Sequence, residues 1–166
     1  MSVKQRLLLV IAVLATCILL DQVTKQFASQ TLSPLTSTLY LNGVLRFIYA
    51  ENSGIMFSVG AGLPGSLQFL LFTLIPLLLL LFLLGYVLVR GGSSPLTLIS
   101  CAMIVGGGLS NIFDRLINDG AVIDFIYLDL WDRSTGIFNI ADVAITIGIA
   151  ALFIQSLVSH LKHNHG

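Results

Sequence analysis

The sequence predicts a membrane all-α fold with small β elements: a four-transmembrane-helix bundle with extracytoplasmic β-rich segments at the membrane surface. Three observations predict it. Hydrophobic residues fill 56% of the 166 positions and charged residues only 10%, against about 25% charged in soluble domains; lipid must therefore be the solvent for most of the surface. Four long stretches carry no charge. Two intervening segments hold turn signals, strand-like patterns and most of the acidic side chains.

The length allows one domain, 1–166. The first apolar run, Leu7 to Leu20, lies between Arg6 and Asp21. Its length at 1.5 Å per residue reaches only about 21 Å, short of the ~30 Å hydrocarbon core. The helix must therefore continue through Asp21 and Lys25, which sets it at about 5–27 and places both charges at or within the membrane boundary. A cleaved leader is the competing reading of these first residues. The apolar run passing beyond Cys17, with three further spans behind it, speaks against that. The second span (67–89) ends before Arg90, and the third (95–115) opens with Pro95, a natural first-turn residue. The fourth (139–161) runs from Asn139 to Leu161. Cys17 and Cys101 sit inside apolar runs and read as small buried hydrophobes.

Segments 28–66 and 116–138 join the spans. The first holds a β-like stretch, Thr38 to Tyr49, and the turn Asn52-Ser53-Gly54; the second holds the turn Asn118-Asp119-Gly120 and a strand over Ala121 to Leu130. Four crossings put both termini and the Arg90 to Pro95 turn on one side. That side holds Lys4, Arg6, Arg90 and Lys162 and no acid, so the positive-inside rule makes it cytoplasmic. The other side receives all eight carboxylates: Asp21, Glu51, Asp114, Asp119, Asp124, Asp129, Asp132 and Asp142. Chance rarely segregates charge so completely, and the chemistry belongs on that face. No basic patch invites nucleic acid.

Asp142, in Phe138-Asn139-Ile140-Ala141-Asp142, reads first as part of a helix cap with Asn139. A cap also fixes a carboxylate's position. Asn139, Asp142 and Thr146 share a helical face expected to look into the bundle. Asp124, in Val122-Ile123-Asp124-Phe125-Ile126, could be one polar position of an alternating strand. Its own face would otherwise be Val122 and Ile126, so a lone carboxylate there needs a partner. Asp142 is the natural one, although other acid pairs remain open. Two carboxylates in a dry site cannot both ionise cheaply. The charged one can deprotonate water, while the neutral one binds a scissile carbonyl and then protonates the leaving amine. That is peptide hydrolysis without a metal, cofactor or covalent intermediate. Asn111, Asp114 and Arg115 cluster at the end of the third span behind a glycine run, and Asp21 and Lys25 form an i,i+4 pair. His160, His163 and His165 fall on a tail expected to be disordered, which disfavours a metal site; with no other histidine a Ser-His-Asp triad is excluded.

These segments, in order, closely resemble the lipoprotein signal peptidases (signal peptidase II): Asp21-Gln22-Val23-Thr24-Lys25, Asn52-Ser53-Gly54-Ile55-Met56-Phe57-Ser58, Asn111-Ile112-Phe113-Asp114-Arg115, Val122-Ile123-Asp124-Phe125 and Phe138-Asn139-Ile140-Ala141-Asp142. The resemblance implies that Asp124 and Asp142 are the catalytic aspartates. It implies that Asp21, Lys25, Asn52, Gly54, Gly107, Asn111, Asp114, Arg115, Asn139 and Ala141 shape or support the site. It also implies a bacterial cytoplasmic (inner) membrane enzyme, acting among membrane lipids on lipid-modified prolipoproteins and cutting before a diacylglyceryl cysteine. A monomer suffices. Two departures stand out: Met56 where the family usually has alanine, and Ser110 where it commonly has glycine. The rival readings are a small ion- or proton-coupled transporter, which predicts acids spread through the depth of the spans, and an inactive scaffold of the same fold.

Overall fold

The protein is described by a computed structural model over residues 1–55, 59–89, 94–130 and 133–164. Met56, Arg90, Asp132 and His165, all named above, lie outside the described residues. Four helices are long and apolar enough to cross a membrane: α1 (Val3–Thr31), α2 (Gly65–Val89), α3 (Pro95–Ile117) and α4 (Ile140–Asn164). As expected, α1 continues unbroken through Asp21 and Lys25. Ser94 caps α3 by accepting from the Thr97 amide, with Pro95 in the first turn, where its missing N–H costs nothing. Helix α2 contains a π-helical turn over Leu70–Leu74, just before Pro76. The proline ring cannot donate to the carbonyl four residues back and clashes with it, and the wider turn absorbs the conflict. The fourth helix runs through Asn164, so His160 and His163 lie in a helix and not on a disordered tail.

The bundle is built around α3, which packs on α1, α2 and α4. Its sequence shows how. Successive residues on a helix point about 100° apart, and Gly106, Gly107 and Gly108 face three different neighbours. A Cβ at Gly106 would lie 2.9 Å from Cys17 of α1, at Gly107 2.5 Å from the Ala141 carbonyl of α4, and at Gly108 2.5 Å from Leu80 of α2. Gly148 of α4 answers from the other side, 2.7 Å from the Ser100 carbonyl. With no apolar driving force between helices in lipid, such close backbone approach is what holds spans together. The packed line of α4 is Ala141, Ala144 and Gly148, all buried. This overturns one expectation: Thr146 is exposed, because the Asp142 face turns toward the edge of that line and then away from any neighbour.

An antiparallel sheet of order β1-β2-β3-β4 sits at one end of the bundle: β1 (Thr38–Tyr40), β2 (Leu45–Asn52), β3 (Val122–Leu130) and β4 (Arg133–Ser134). The single stretch expected from Thr38 to Tyr49 is two strands, broken by a 3-10 turn at Leu41–Gly43 with left-handed backbone at Leu41 and Asn42. Between Phe47↔Ile126 and Ala50↔Asp124 the register slips by one residue, a bulge beside Asp124. The chain leaving the sheet folds back, and Phe138 pairs with Ile126 through its amide (2.8 Å), delivering Asn139 and the start of α4 alongside β3.

The glycine packing predicts a paired outcome. Gly107→Ala should destabilise the protein by about 1–3 kcal/mol, because its methyl meets backbone that cannot move aside. Gly85→Ala on α2, where nothing lies within 4 Å, should leave stability unchanged or slightly raised. Thermal unfolding of the two variants in detergent checks both.

Candidate active site

Asp124 and Asp142 arrive from different elements and meet through one residue. Asn139, fully buried, donates its side-chain amide to Asp124 Oδ1 (2.7 Å) and its backbone N–H to Asp142 Oδ2 (3.1 Å). Its own Oδ1 accepts from the Asp142 amide (2.9 Å), so Asn139 and Asp142 cap α4 reciprocally. The helix cap and the placement of the carboxylate are the same contact. The remaining oxygens are met by two further asparagines. Asn52 donates to Asp124 Oδ2 (3.0 Å) and Asn111 to Asp142 Oδ1 (3.0 Å). Each carboxylate oxygen thus receives one protein donor and keeps a lone pair for something else. Asp124 is 3% exposed. Burial is the main force pushing its carboxyl up to about 6, the Asn52 amide opposes it, and the neighbouring Asp142 charge adds to it.

Beneath this pair lies a second, fully buried layer. Lys25 Nζ contacts Asp21 Oδ2 (2.6 Å), Asp114 Oδ2 (2.9 Å) and Asn111 Oδ1 (2.8 Å). The expected i,i+4 pair is therefore one arm of a three-way contact. An ammonium can only donate, so Asn111 must turn its oxygen toward Lys25, which leaves its NH₂ for Asp142. Asn139 also donates to that Asn111 oxygen (3.1 Å). Asp21 Oδ1 accepts from the Ala141 amide (2.8 Å) and Asp114 Oδ2 from the Ile123 amide (3.1 Å). Gly107 admits Ala141 to this position, as its missing Cβ requires. On the other flank, Arg115 Nη2 donates to the Gly54 carbonyl (2.6 Å), and the Gly54 amide donates to Asn52 Oδ1 (3.0 Å), closing the Asn52 turn.

All twelve residues singled out in the sequence lie in this one cluster, among the described residues. Two further members were not among the expected site residues, although Ser110 had stood out as a departure. Ser110 donates to Asp21 Oδ2 (2.7 Å), and Gln22 donates to the Ser110 hydroxyl (3.0 Å) and to Asp114 Oδ1 (2.7 Å). The signal was present in both: Ser110 is four residues before Asp114, and Gln22 three before Lys25, each on a shared helical face. Ser110 thus adds a donor to the buried layer. No group of three metal-ligating side chains occurs among the described residues.

Comparison with known proteins points the same way. The family described as Signal peptidase (SPase) II matches residues 13–158. The lipoprotein signal peptidase of Chlorobium phaeobacteroides (strain BS1) is 39% identical over 149 residues, covering 84% of this chain and 90% of its own. That of Aquifex aeolicus is 33% identical, covering 89% and 84%. A solved bacterial membrane enzyme superposes with a TM-score of 0.79 at 26% identity, over 91% of this chain and 88% of its own. With the sheet, the polar cluster and most of every span inside the matched region, this multi-pass membrane chain belongs to the signal peptidase II family, the proteases that remove signal peptides from bacterial prolipoproteins.

Proposed function

We propose that the chain is an aspartyl endopeptidase in which Asp124 and Asp142 activate water to cut diacylglyceryl-modified prolipoproteins just before the lipidated cysteine. The observation that carries this reading is the shared grip of Asn139 on both carboxylates. One residue orients both acids, and each carboxylate oxygen keeps a lone pair with which a water can be held. One carboxylate, ionised, takes a proton from that water as it attacks the scissile carbonyl. The other, protonated, donates a hydrogen bond to the carbonyl oxygen and then gives its proton to the departing amine. Asn52, Asn111 and Asn139 orient the acids by neutral donors, and at Asp124 the amides of Asn52 and Asn139 partly offset the effect of burial. Arg115 and Gly54 hold the turn that carries Asn52, and Gly107 and Ala141 set the start of α4.

The membrane setting follows from the same charges. Lys4, Arg6 and Lys162 sit at the end of the bundle away from the acids, and by the positive-inside rule this supports termini in the cytoplasm and acids at the outer boundary of the bacterial cytoplasmic membrane. A precursor whose signal segment is a helix in the bilayer, and whose acyl chains stay there, presents its scissile bond at that depth. One chain holds the whole constellation, so a monomer suffices.

Two outcomes are expected. Asp124→Asn and Asp142→Asn should each lower cleavage of a lipidated precursor by at least about 10²-fold while the protein stays folded and inserted; full cleavage by either variant would remove the pair from the mechanism. The second outcome concerns pH. Burial favours the protonated Asp124, so its contribution to stability is present at low pH and is lost as pH rises from the ordinary 3.8 through about 6. Asp124→Asn escapes that loss. Its melting temperature should match the parent's near pH 4 and exceed it above pH 6 (differential scanning fluorimetry in detergent reads the difference), and a gap independent of pH would contradict the assignment.

A further inference from the structure

Lys25 is 1% exposed, and all three donors of its ammonium are engaged. The two carboxylates it joins have second tasks. Asp21 holds the amide of Ala141, and Asp114 holds the amide of Ile123. Ala141 immediately precedes Asp142, and Ile123 immediately precedes Asp124. The ammonium therefore ties together the two points of backbone from which the paired acids extend. Asp21 and Lys25 come from α1, Asp114 from α3, Ile123 from β3 and Ala141 from α4, so four elements are gauged from one atom. The third donor fixes the Asn111 amide that reaches Asp142.

We propose that Lys25 is a positioning residue that sets the separation of Asp124 and Asp142. This rests on the reading of those two residues as the catalytic pair. Separation governs how strongly the two acids couple, and coupling sets how far apart their two macroscopic titrations lie. The charged groups around the pair are Asp21 and Lys25 on α1 and Asp114 and Arg115 on α3. Strand β2 contributes Glu51, exposed and engaged by Tyr49, and α2 contributes none.

The test needs a variant that loses the tie without leaving a buried charge unpaired. Lys25→Met alone strands two buried carboxylates, which confounds a loss of spacing with misfolding. The triple variant Asp21→Asn, Lys25→Met, Asp114→Asn is neutral, and its asparagine oxygens still accept from Ala141 and Ile123. Its cleavage of a lipidated precursor in mixed micelles is compared with the parent's across pH. The expected result is a kcat reduced about 10–100-fold, a KM within about twofold, and the two limbs of the kcat profile drawn together by about one pH unit. A change of net charge alone moves both limbs in the same direction; only a change of spacing alters the interval between them. An unaltered kcat, or limbs that shift in parallel, would overturn the proposal. In either case inert Asp124→Asn and Asp142→Asn leave the catalytic pair standing, whereas active ones remove it whatever the triple variant does.

Discussion

A lone ammonium cannot rest in the interior of this bundle. Removing one partner from a buried ion pair typically costs about 3–5 kcal/mol, so Lys25 dictates its surroundings. It requires Asp21 and Asp114, and two carboxylates around one cation leave an excess of negative charge. Backbone and side-chain donors absorb that excess: the amides of Ala141 and Ile123, the Ser110 hydroxyl and the Gln22 amide. Those donors belong to α1, α3, β3 and α4. Satisfying one buried cation thus fixes the relative placement of most of the molecule, and the site above it inherits the precision.

The upper layer works by a different principle. Asp124 and Asp142 are held by amides of three asparagines and one peptide, all neutral. Neutral donors orient a carboxyl and favour its ionised form, an effect that burial opposes at Asp124. The fold supplies the convergence through local irregularities. The bulge in β2 re-aims the strand pair beside Asp124, and the return of Phe138 onto Ile126 brings the α4 cap against it. A regular strand and a longer connection would have left the two acids apart.

The four spans were legible because hydropathy and length suffice to find them in lipid, and the i,i+4 spacing of Asp21 and Lys25 announced a pair. The order of short motifs and the glycine run, read through the family resemblance, marked twelve residues of the cluster. What escaped depends on contacts between elements. The break at Leu41 and Asn42 involves left-handed backbone at a leucine, which no turn propensity suggests. Thr146 shares a helical face with Asp142, but periodicity does not say where the neighbouring helix ends. Ser110 and Gln22 lay at the right intervals, yet serine and glutamine are common enough in helices that spacing alone gave them no prominence. The arm of Lys25 that reaches Asp114 joins residues far apart in the chain, and only the packing of α1 on α3 reveals it.

The local half of that buried contact has a bearing on biogenesis. Spans emerge in order, and α1 reaches the bilayer before α3 has been synthesised. Asp21 and Lys25, one turn apart on the same helix, can neutralise each other from the outset, so the leading segment partitions as an uncharged unit. Asp114 then joins a salt bridge already made. A layout with Lys25 answered only by Asp114 would oblige the nascent first segment to wait in lipid with a naked cation.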